Sequence, residues 1–162
     1  MEEYRQKIKD ITALEKQVQS LRKQGKHVVF TNGVFDILHP GHARYLAAAK
    51  DLGDFLIVAV NSDKSARAVK GPNRPINPQH HRAELIAALG FVDAVIIFEE
   101  KNPLKVINHL MPDVLVKGGD WEREKIIGGD VVEKAGGRVM RIPFAEGYST
   151  TDIIKKIKHT EK

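Results

Sequence analysis

The 162 residues contain no cysteine. Disulfides and a cysteine thiolate nucleophile are therefore excluded, and the absence fits a cytoplasmic protein, because disulfides are rare in the cytoplasm. The chain also lacks any apolar run long enough to cross a membrane, and its first ten residues (MEEYRQKIKD) are charged. We accordingly expect a cytoplasmic location, without a signal peptide and without membrane contact.

Two well-known phosphate-binding patterns are also missing. The chain has no G-x-x-x-x-G-K-[ST], and no G-x-G-x-x-G follows its first apolar stretch. Aromatic residues make up only 6%, and the basic side chains behind the net charge of +5 are dispersed among acidic ones. This balance argues against nucleic acid as a partner, whereas a mild positive field steers small anionic substrates towards a cleft.

The chain alternates short apolar stretches with helical patterns. Strands are predicted at 27–31, 55–61, 94–98, 114–116 and 138–142, and helices at 2–24, 41–52, 78–89, 103–111, 129–135 and 150–158. Residues 62–77 form a polar, basic stretch, within which Lys70 belongs to a Gly/Pro/Asn-rich segment predicted to be a mobile loop. The alternation predicts an α/β fold, namely a Rossmann-like, doubly wound parallel five-stranded sheet with an N-terminal helix. We expect one domain overall, with residues 1–25 as a helical extension of residues 26–162.

The apolar stripe of the first helix has two interpretations. Ile8, Ile11, Leu14, Val18 and Leu21 recur at helical spacing between charged residues. The stripe lies either against its own domain or, because it is narrow and heptad-like, at a dimer contact.

Residues 32–42 (NGVFDILHPGH) carry the clearest chemical signal, since they join the first strand to the next helix. Pro40 suits the first turn of a helix, and His39 and His42 have the spacing that places both side chains on one helical face. Free N–H groups at a helix N-terminus favour anions, and Gly41 lets a phosphate approach the backbone closely. The segment predicts a polyphosphate site; the plainer interpretation is two surface histidines at a helix cap.

These residues resemble the signature G-x-F-D-x-x-H-x-G-H of the nucleotidyltransferase superfamily related to cytidylyltransferases. Three further segments, KGPNRPINP (70–78), VKGGD (116–120) and STTDII (149–154), resemble one branch of it. That branch is the adenylyltransferase for D-glycero-D-manno-heptose 1-phosphate, found alone or as the C-terminal half of a bifunctional heptose kinase/adenylyltransferase. The resemblance spans residues 25–158 and implies that a sugar-phosphate oxygen attacks the α-phosphorus of ATP, releasing pyrophosphate.

The resemblance also implies a set of site residues. Catalytic roles fall to His39 and His42, which would contact the triphosphate, and to Lys70, on a mobile loop that would close over the phosphates. Gly33 would allow the backbone turn, and the two glycines of KGGD would let a nucleoside pack on the backbone. The implied nucleotide-binding residues are Gly33, Val34, Phe35, His39, Gly41, His42, Lys117, Gly118, Gly119, Asp120, Ser149, Thr150 and Thr151. The candidates for binding the sugar phosphate are Asp36, Asn61, Asp63, Arg74, Arg82 and Trp121.

Ordinary local structure offers an alternative for several of these residues. Turn chemistry explains Asp36, Asn61 and Asp63, a helix cap explains the run 149–151, and a helix-surface ion pair explains Arg82. No resident metal site is expected, because no carboxylate cluster forms a cage; Mg²⁺ would arrive with ATP, held mostly by phosphate and water.

Phe144 departs from the pattern of glycerol-phosphate cytidylyltransferases, which have an arginine at this place (R-T-E-G-x-S-T). The departure counts against that substrate, although a nucleotidyltransferase for another small phosphate remains the alternative, ahead of a non-catalytic nucleotide-binding module. The expected partners are ATP and a sugar 1-phosphate made by a separate kinase, and the expected assembly is a homodimer.

Overall fold

The computed structural model describes residues 3–119 and 122–160. Its strands are β1 (Val28–Gly33), β2 (Phe55–Asn61), β3 (Ala94–Phe98), β4 (Val114–Gly118) and β5 (Arg138–Ile142). Its α-helices are α1 (Ile11–Lys23), α2 (Pro40–Lys50), α3 (Asp63–Lys70), α4 (Gln79–Ala88), α5 (Leu104–Leu110), α6 (Gly129–Lys134) and α7 (Thr150–Thr160). Short 3-10 helices lie at Glu3–Lys7 and Arg123–Lys125.

The strands form one parallel sheet in the order β3-β2-β1-β4-β5. The chain adds strands outward from β1 to one side and then returns to the other side of β1 with β4. The order therefore reverses between β1 and β4, and in open α/β sheets ligands bind at the carboxyl ends of the strands where this reversal occurs. We call this place the switch crevice, defined by Gly33 at the end of β1 and by Gly118 and Gly119 at the end of β4.

Both faces of the sheet are buried, which explains the nearly continuous apolar runs of its central strands. Alternate residues of β2 show the division: Ile57 and Ala59 pack with α1, α5 and α6, whereas Leu56, Val58 and Val60 pack with α2 and α4. The predicted doubly wound α/β architecture is confirmed. In the described ranges, no helix combines the length and apolar character needed to cross a membrane.

The N-terminal segment is part of this fold, but it is not the single helix predicted over residues 2–24. A 3-10 turn comes first, and Ile8 then forms a parallel bridge with Val95 on the outer edge of β3, so the chain is extended there before α1 begins. Asp10 caps α1 by accepting the N–H of Ala13. Leu14 and Val18 are fully enclosed in the core, so the apolar stripe packs against its own domain.

Within residues 62–77 the structure contains a helix that the sequence did not predict. Ser62 accepts the N–H of Ser65 and caps α3, whose inner face buries Ser65 and Ala66. The short amphipathic helix was hidden by its many polar side chains, since only a narrow stripe of it is buried. As a consequence, Lys70 lies at the end of a helix and not in a mobile loop.

Candidate active site

Three segments with candidate functional residues meet at the switch crevice. One joins β1 to α2, one follows β4, and one joins β5 to α7. Tyr45 of α2 links the two central strands from below the crevice: its hydroxyl lies 2.6 Å from Oγ1 of Thr31 and donates to the carbonyl of Val116 at 3.3 Å. Burial raises the pKa of Tyr45 to about 12, with the contact to Thr31 opposing the rise. Sequence reasoning missed this tyrosine, although it lies three residues after His42 on the same helix.

The two predicted histidines stand together at the start of α2. Their rings are stacked, with centroids 3.8 Å apart and planes inclined by 19°. His39 is the N-cap residue, and its Nδ1 accepts the N–H of His42 at 3.4 Å. Because Nδ1 of His39 is an acceptor, a neutral His39 carries its proton on Nε2, which leaves that nitrogen to donate.

His42 is the more enclosed of the two histidines. Burial, followed by the charge of His39, lowers the pKa of His42 to about 4, and burial also lowers the pKa of His39. Nδ1 of His42 is buried without a hydrogen-bond partner in the described residues. Burial therefore favours the neutral form of both imidazoles, and Nδ1 of His42 is available to a ligand.

The glycines before and between the histidines serve the protein's own packing. The backbone turn after β1 is made by Phe35, which has a left-handed φ of 49°, and not by Gly33 as predicted. A Cβ on Gly33 would lie 2.8 Å from the ring of Phe35, and one on Gly41 would lie 2.9 Å from Nδ1 of His39. The ring of Phe35 meets His42 edge-on, with centroids 5.4 Å apart.

The start of α7 lies beside the start of α2. Oγ1 of Thr150 donates to the carbonyl of Ile37, and the ring of Tyr148 lies parallel to that of His39 with a centroid distance of 6.2 Å. The guanidinium of Arg44 covers Tyr148 at 5.1 Å. Ser149 accepts the N–H of Asp152 and so caps α7. Two helix N-termini with free N–H groups therefore converge on one region, an arrangement that suits a polyphosphate. Nothing in the sequence indicated Arg44 or Tyr148.

The predicted site also includes two lysines. Lys70 ends α3 and is exposed, while Lys117 lies near the end of β4 and is half-buried. Burial lowers the pKa of Lys117, and the charge of Lys70 lowers it further.

Asp36 is buried and holds the segment that follows α3. Its carboxylate accepts hydrogen bonds from Nε of Arg74 at 2.6 Å, from the N–H of Ile76 at 2.9 Å and from the N–H of Asn77 at 2.8 Å. Burial alone would raise the pKa of Asp36, but these donors lower it. Asn77 also donates its side-chain amide to the carbonyl of Asp36.

Arg82 is fully buried, so its alternative interpretation as part of a helix-surface ion pair does not hold. Its guanidinium donates to the carbonyls of Val34 and Asn77 and to the carboxylate of Asp63, which joins three separate segments. Asn61 is also buried and donates its amide to Oγ of Ser65. In this structure the predicted sugar-phosphate ligands Asp36, Asn61 and Arg82 are thus engaged with the protein itself.

Phe144 occupies the place that the sequence assigned to a nucleoside. A Cβ on Gly118 or on Gly119 would lie 2.6 Å from its ring, so the ring covers the backbone of both glycines. Phe144 is nevertheless 69% exposed. Asp120 and Trp121, also predicted as ligands, lie outside the described residues.

Replacement of Asp36 by Ala tests whether its carboxylate holds the segment after α3. We expect the free energy of unfolding to fall by about 3 kcal/mol, because a partly buried guanidinium and two N–H groups lose their acceptor. Urea denaturation followed by circular dichroism measures the loss. Lys134→Ala is the control, since it breaks an ion pair with Asp130 whose side chains are 82% and 71% exposed, and its effect should stay below about 0.5 kcal/mol. A matching small loss for Asp36→Ala would contradict the assignment.

The lowered pKa of His42 predicts a specific dependence of stability on pH. Below the ordinary value of 6.5 the unfolded chain binds a proton that folded His42 takes up only near pH 4, so the folded state loses stability as the pH falls through this range. We expect His42→Asn to lose less unfolding free energy than the parent between about pH 7 and about pH 5. The exposed His80 supplies the control variant His80→Asn, which should follow the parent. Equal pH dependence in His42→Asn and the parent would rule out a buried, neutral His42.

Comparison with known proteins agrees with this geometry. The family model described as "Cytidylyltransferase-like" matches residues 30–156. The bifunctional protein HldE of Cronobacter sakazakii is 56% identical over 146 residues, and that of Trichlorobacter lovleyi is 51% identical over 151 residues. These alignments cover 90% and 93% of this chain but 31% of each relative, so the chain spans about a third of the length of these curated proteins.

Two solved structures share the fold. A lipopolysaccharide core biosynthesis protein from Thermoplasma volcanium matches with a TM-score of 0.63 and 34% identity, over 77% of this chain and 100% of that one. A pantoate-beta-alanine ligase from Francisella tularensis matches with a TM-score of 0.59 over 96% of this chain and 78% of that one, and at 17% identity it supports the fold alone. The parallel sheet, the histidine pair at the switch crevice and the family match over most of the chain lead to one conclusion: the chain belongs to the cytidylyltransferase-like family.

Proposed function

We propose that the chain is an adenylyltransferase that transfers AMP from ATP to D-glycero-D-manno-heptose 1-phosphate. The products are ADP-heptose, for surface polysaccharide synthesis, and pyrophosphate. The observation that carries the proposal is the stacked pair His39 and His42 at the N-terminus of α2, with the N-terminus of α7 beside it. The heptose is supported by the identity to the HldE proteins, and the polysaccharide by the name of the Thermoplasma volcanium protein.

The reaction requires alignment and charge neutralisation more than it requires a base. A phosphate oxygen of the sugar is already an anion, so it attacks the α-phosphorus directly while the bond to the bridging oxygen of pyrophosphate breaks. Nε2–H of His39 and the imidazole of His42 donate to the phosphate oxygens, and Lys70 and Lys117 balance the charge that develops on them. The free N–H groups at the starts of α2 and α7 hold the departing pyrophosphate.

Mg²⁺ enters with the nucleotide in this proposal. Within residues 3–119 and 122–160 no group of three or more His, Asp or Glu side chains is arranged to hold a metal ion, and the carboxylate of Asp36 is already engaged by Arg74. This donor set fits an Mg²⁺ ion bound by phosphate oxygens and water.

The sugar phosphate would bind beside the triphosphate. Asp63 remains half-exposed at the start of α3, and we propose that it and Trp121 contact the sugar. Asp36 and Arg82 would act indirectly, by fixing the position of the segment that carries Arg74. We further propose a cytoplasmic homodimer and a kinase activity outside these residues as the source of the sugar phosphate; the bifunctional relatives support the latter.

The proposal is tested by pyrophosphate release with Mg²⁺. ATP, CTP and GTP are each paired with heptose 1-phosphate, as both anomers, and with glycerol 3-phosphate. We expect release only with ATP and one heptose anomer. Release with CTP and glycerol 3-phosphate would establish the alternative cytidylyltransferase instead, and nucleotide binding without release from any pair would favour a binding module.

The two histidines should each be needed for turnover. We expect His39→Ala and His42→Ala to lower kcat by at least ~10²-fold, the loss typical of removing one donor that stabilises the transition state. His81→Ala, which removes an exposed histidine on α4, is the matched control and should keep the parent rate. Activity within a few-fold of the parent in either active-site variant would remove that histidine from the mechanism.

A further inference from the structure

Phe144 has an unusual combination of exposure and fixed position. Phe144 is 69% exposed, more than any other large hydrophobic residue in the described part of the chain. A lone exposed apolar residue is ordinary on a protein surface, so its location decides whether it has a role.

The location is the switch crevice. The N–H of Gly119 donates to the carbonyl of Ile142 at 2.9 Å, which ties the end of β4 to the end of β5 two residues before Phe144. The far end of the Phe144 ring packs against both glycines of the crevice. A Cβ added to Gly118 would lie 2.6 Å from Cε1 of Phe144, and a Cβ added to Gly119 would lie 2.6 Å from Cε2 of Phe144. Gly119 has a φ of 89°, so the backbone itself favours glycine here. The ring therefore packs against the backbone of the two glycines, while most of its surface faces solvent.

We propose that Phe144 is the stacking platform for the base of the bound nucleotide and that it favours adenine over cytosine. The inference rests on the proposed function, because that function places ATP at this crevice. An aromatic ring stacks on any base, and a purine covers more of the ring than a pyrimidine does. The histidines and the two helix N-termini recognise phosphate groups, which all nucleoside triphosphates share, so Phe144 supplies a contact that depends on the base.

Two simpler roles for Phe144 predict a different change in ATP affinity when the ring is removed. If Phe144 only shielded the glycine backbone, its removal would leave ATP affinity unchanged. If Phe144 blocked the nucleoside site and had to move away, its removal would make ATP bind more tightly. A stacking platform predicts weaker binding when the ring is removed.

The test is equilibrium binding of ATP, CTP and tripolyphosphate to the full chain by titration calorimetry. We expect Phe144→Ala to weaken ATP binding about tenfold and CTP binding by less, the size that alanine replacement at a base-stacking site produces. Tripolyphosphate, which has no base, should bind to the variant and the parent equally. Phe144→Trp should retain the affinity for ATP, whereas Phe144→Leu, apolar but without an aromatic face, should resemble Phe144→Ala.

Leu85→Ala is the matched control, since Leu85 is 48% exposed on α4 and its loss should leave all three affinities unchanged. Unchanged or tighter ATP binding in Phe144→Ala, or an equal loss for ATP and tripolyphosphate, would overturn the inference. A parent chain that binds neither ATP nor CTP would overturn the proposed function as well. ATP binding that depends on Phe144, without transfer to heptose 1-phosphate, would support the platform and reject only the acceptor.

Discussion

The arrangement of the site depends on the hydrogen bonds that the buried carboxylate of Asp36 accepts. It accepts hydrogen bonds from Arg74, Ile76 and Asn77, and it thereby fixes the segment after α3 against the turn that leads to the histidines. Arg82 strengthens the same connection from inside the core by donating to Val34 and Asn77. A buried charge is costly unless it is paired, so this network has one favourable arrangement and resists small displacements.

The two histidines proposed as catalytic are held by contacts of a different kind. Aromatic stacking and helix capping place the rings of His39 and His42 against each other, and Tyr148 extends the stack to the segment before α7. Because burial keeps both imidazoles neutral, the unliganded site avoids placing two cations in contact. Positive charge comes instead from Lys70, Lys117 and the helix N-termini, which lie where a triphosphate would bring its own negative charge.

Several expectations based on sequence failed for one common reason, which is that the residues contact other parts of the protein. Gly33 was expected to make room for a turn, yet it makes room for the ring of Phe35. A surface ion pair was one of two interpretations of Arg82, which lies in the core because its partners come from three segments distant in sequence. A local sequence pattern indicates which type of residue is required at a position, but it does not indicate which neighbouring residue in the fold that residue contacts.

The sequence by itself determined the five strands, most of the helices between them and the burial of both sheet faces, because these depend on apolar periodicity. It also indicated the segments that we propose bind phosphate, since their residue types and their places after strands are local properties. Only the tertiary structure decided that β1 and β4 are neighbours, that Phe144 covers Gly118 and Gly119, and that Asp36 binds Arg74. These contacts join residues far apart in the chain, and their energies depend on burial and distance, which exist only once the sheet has formed.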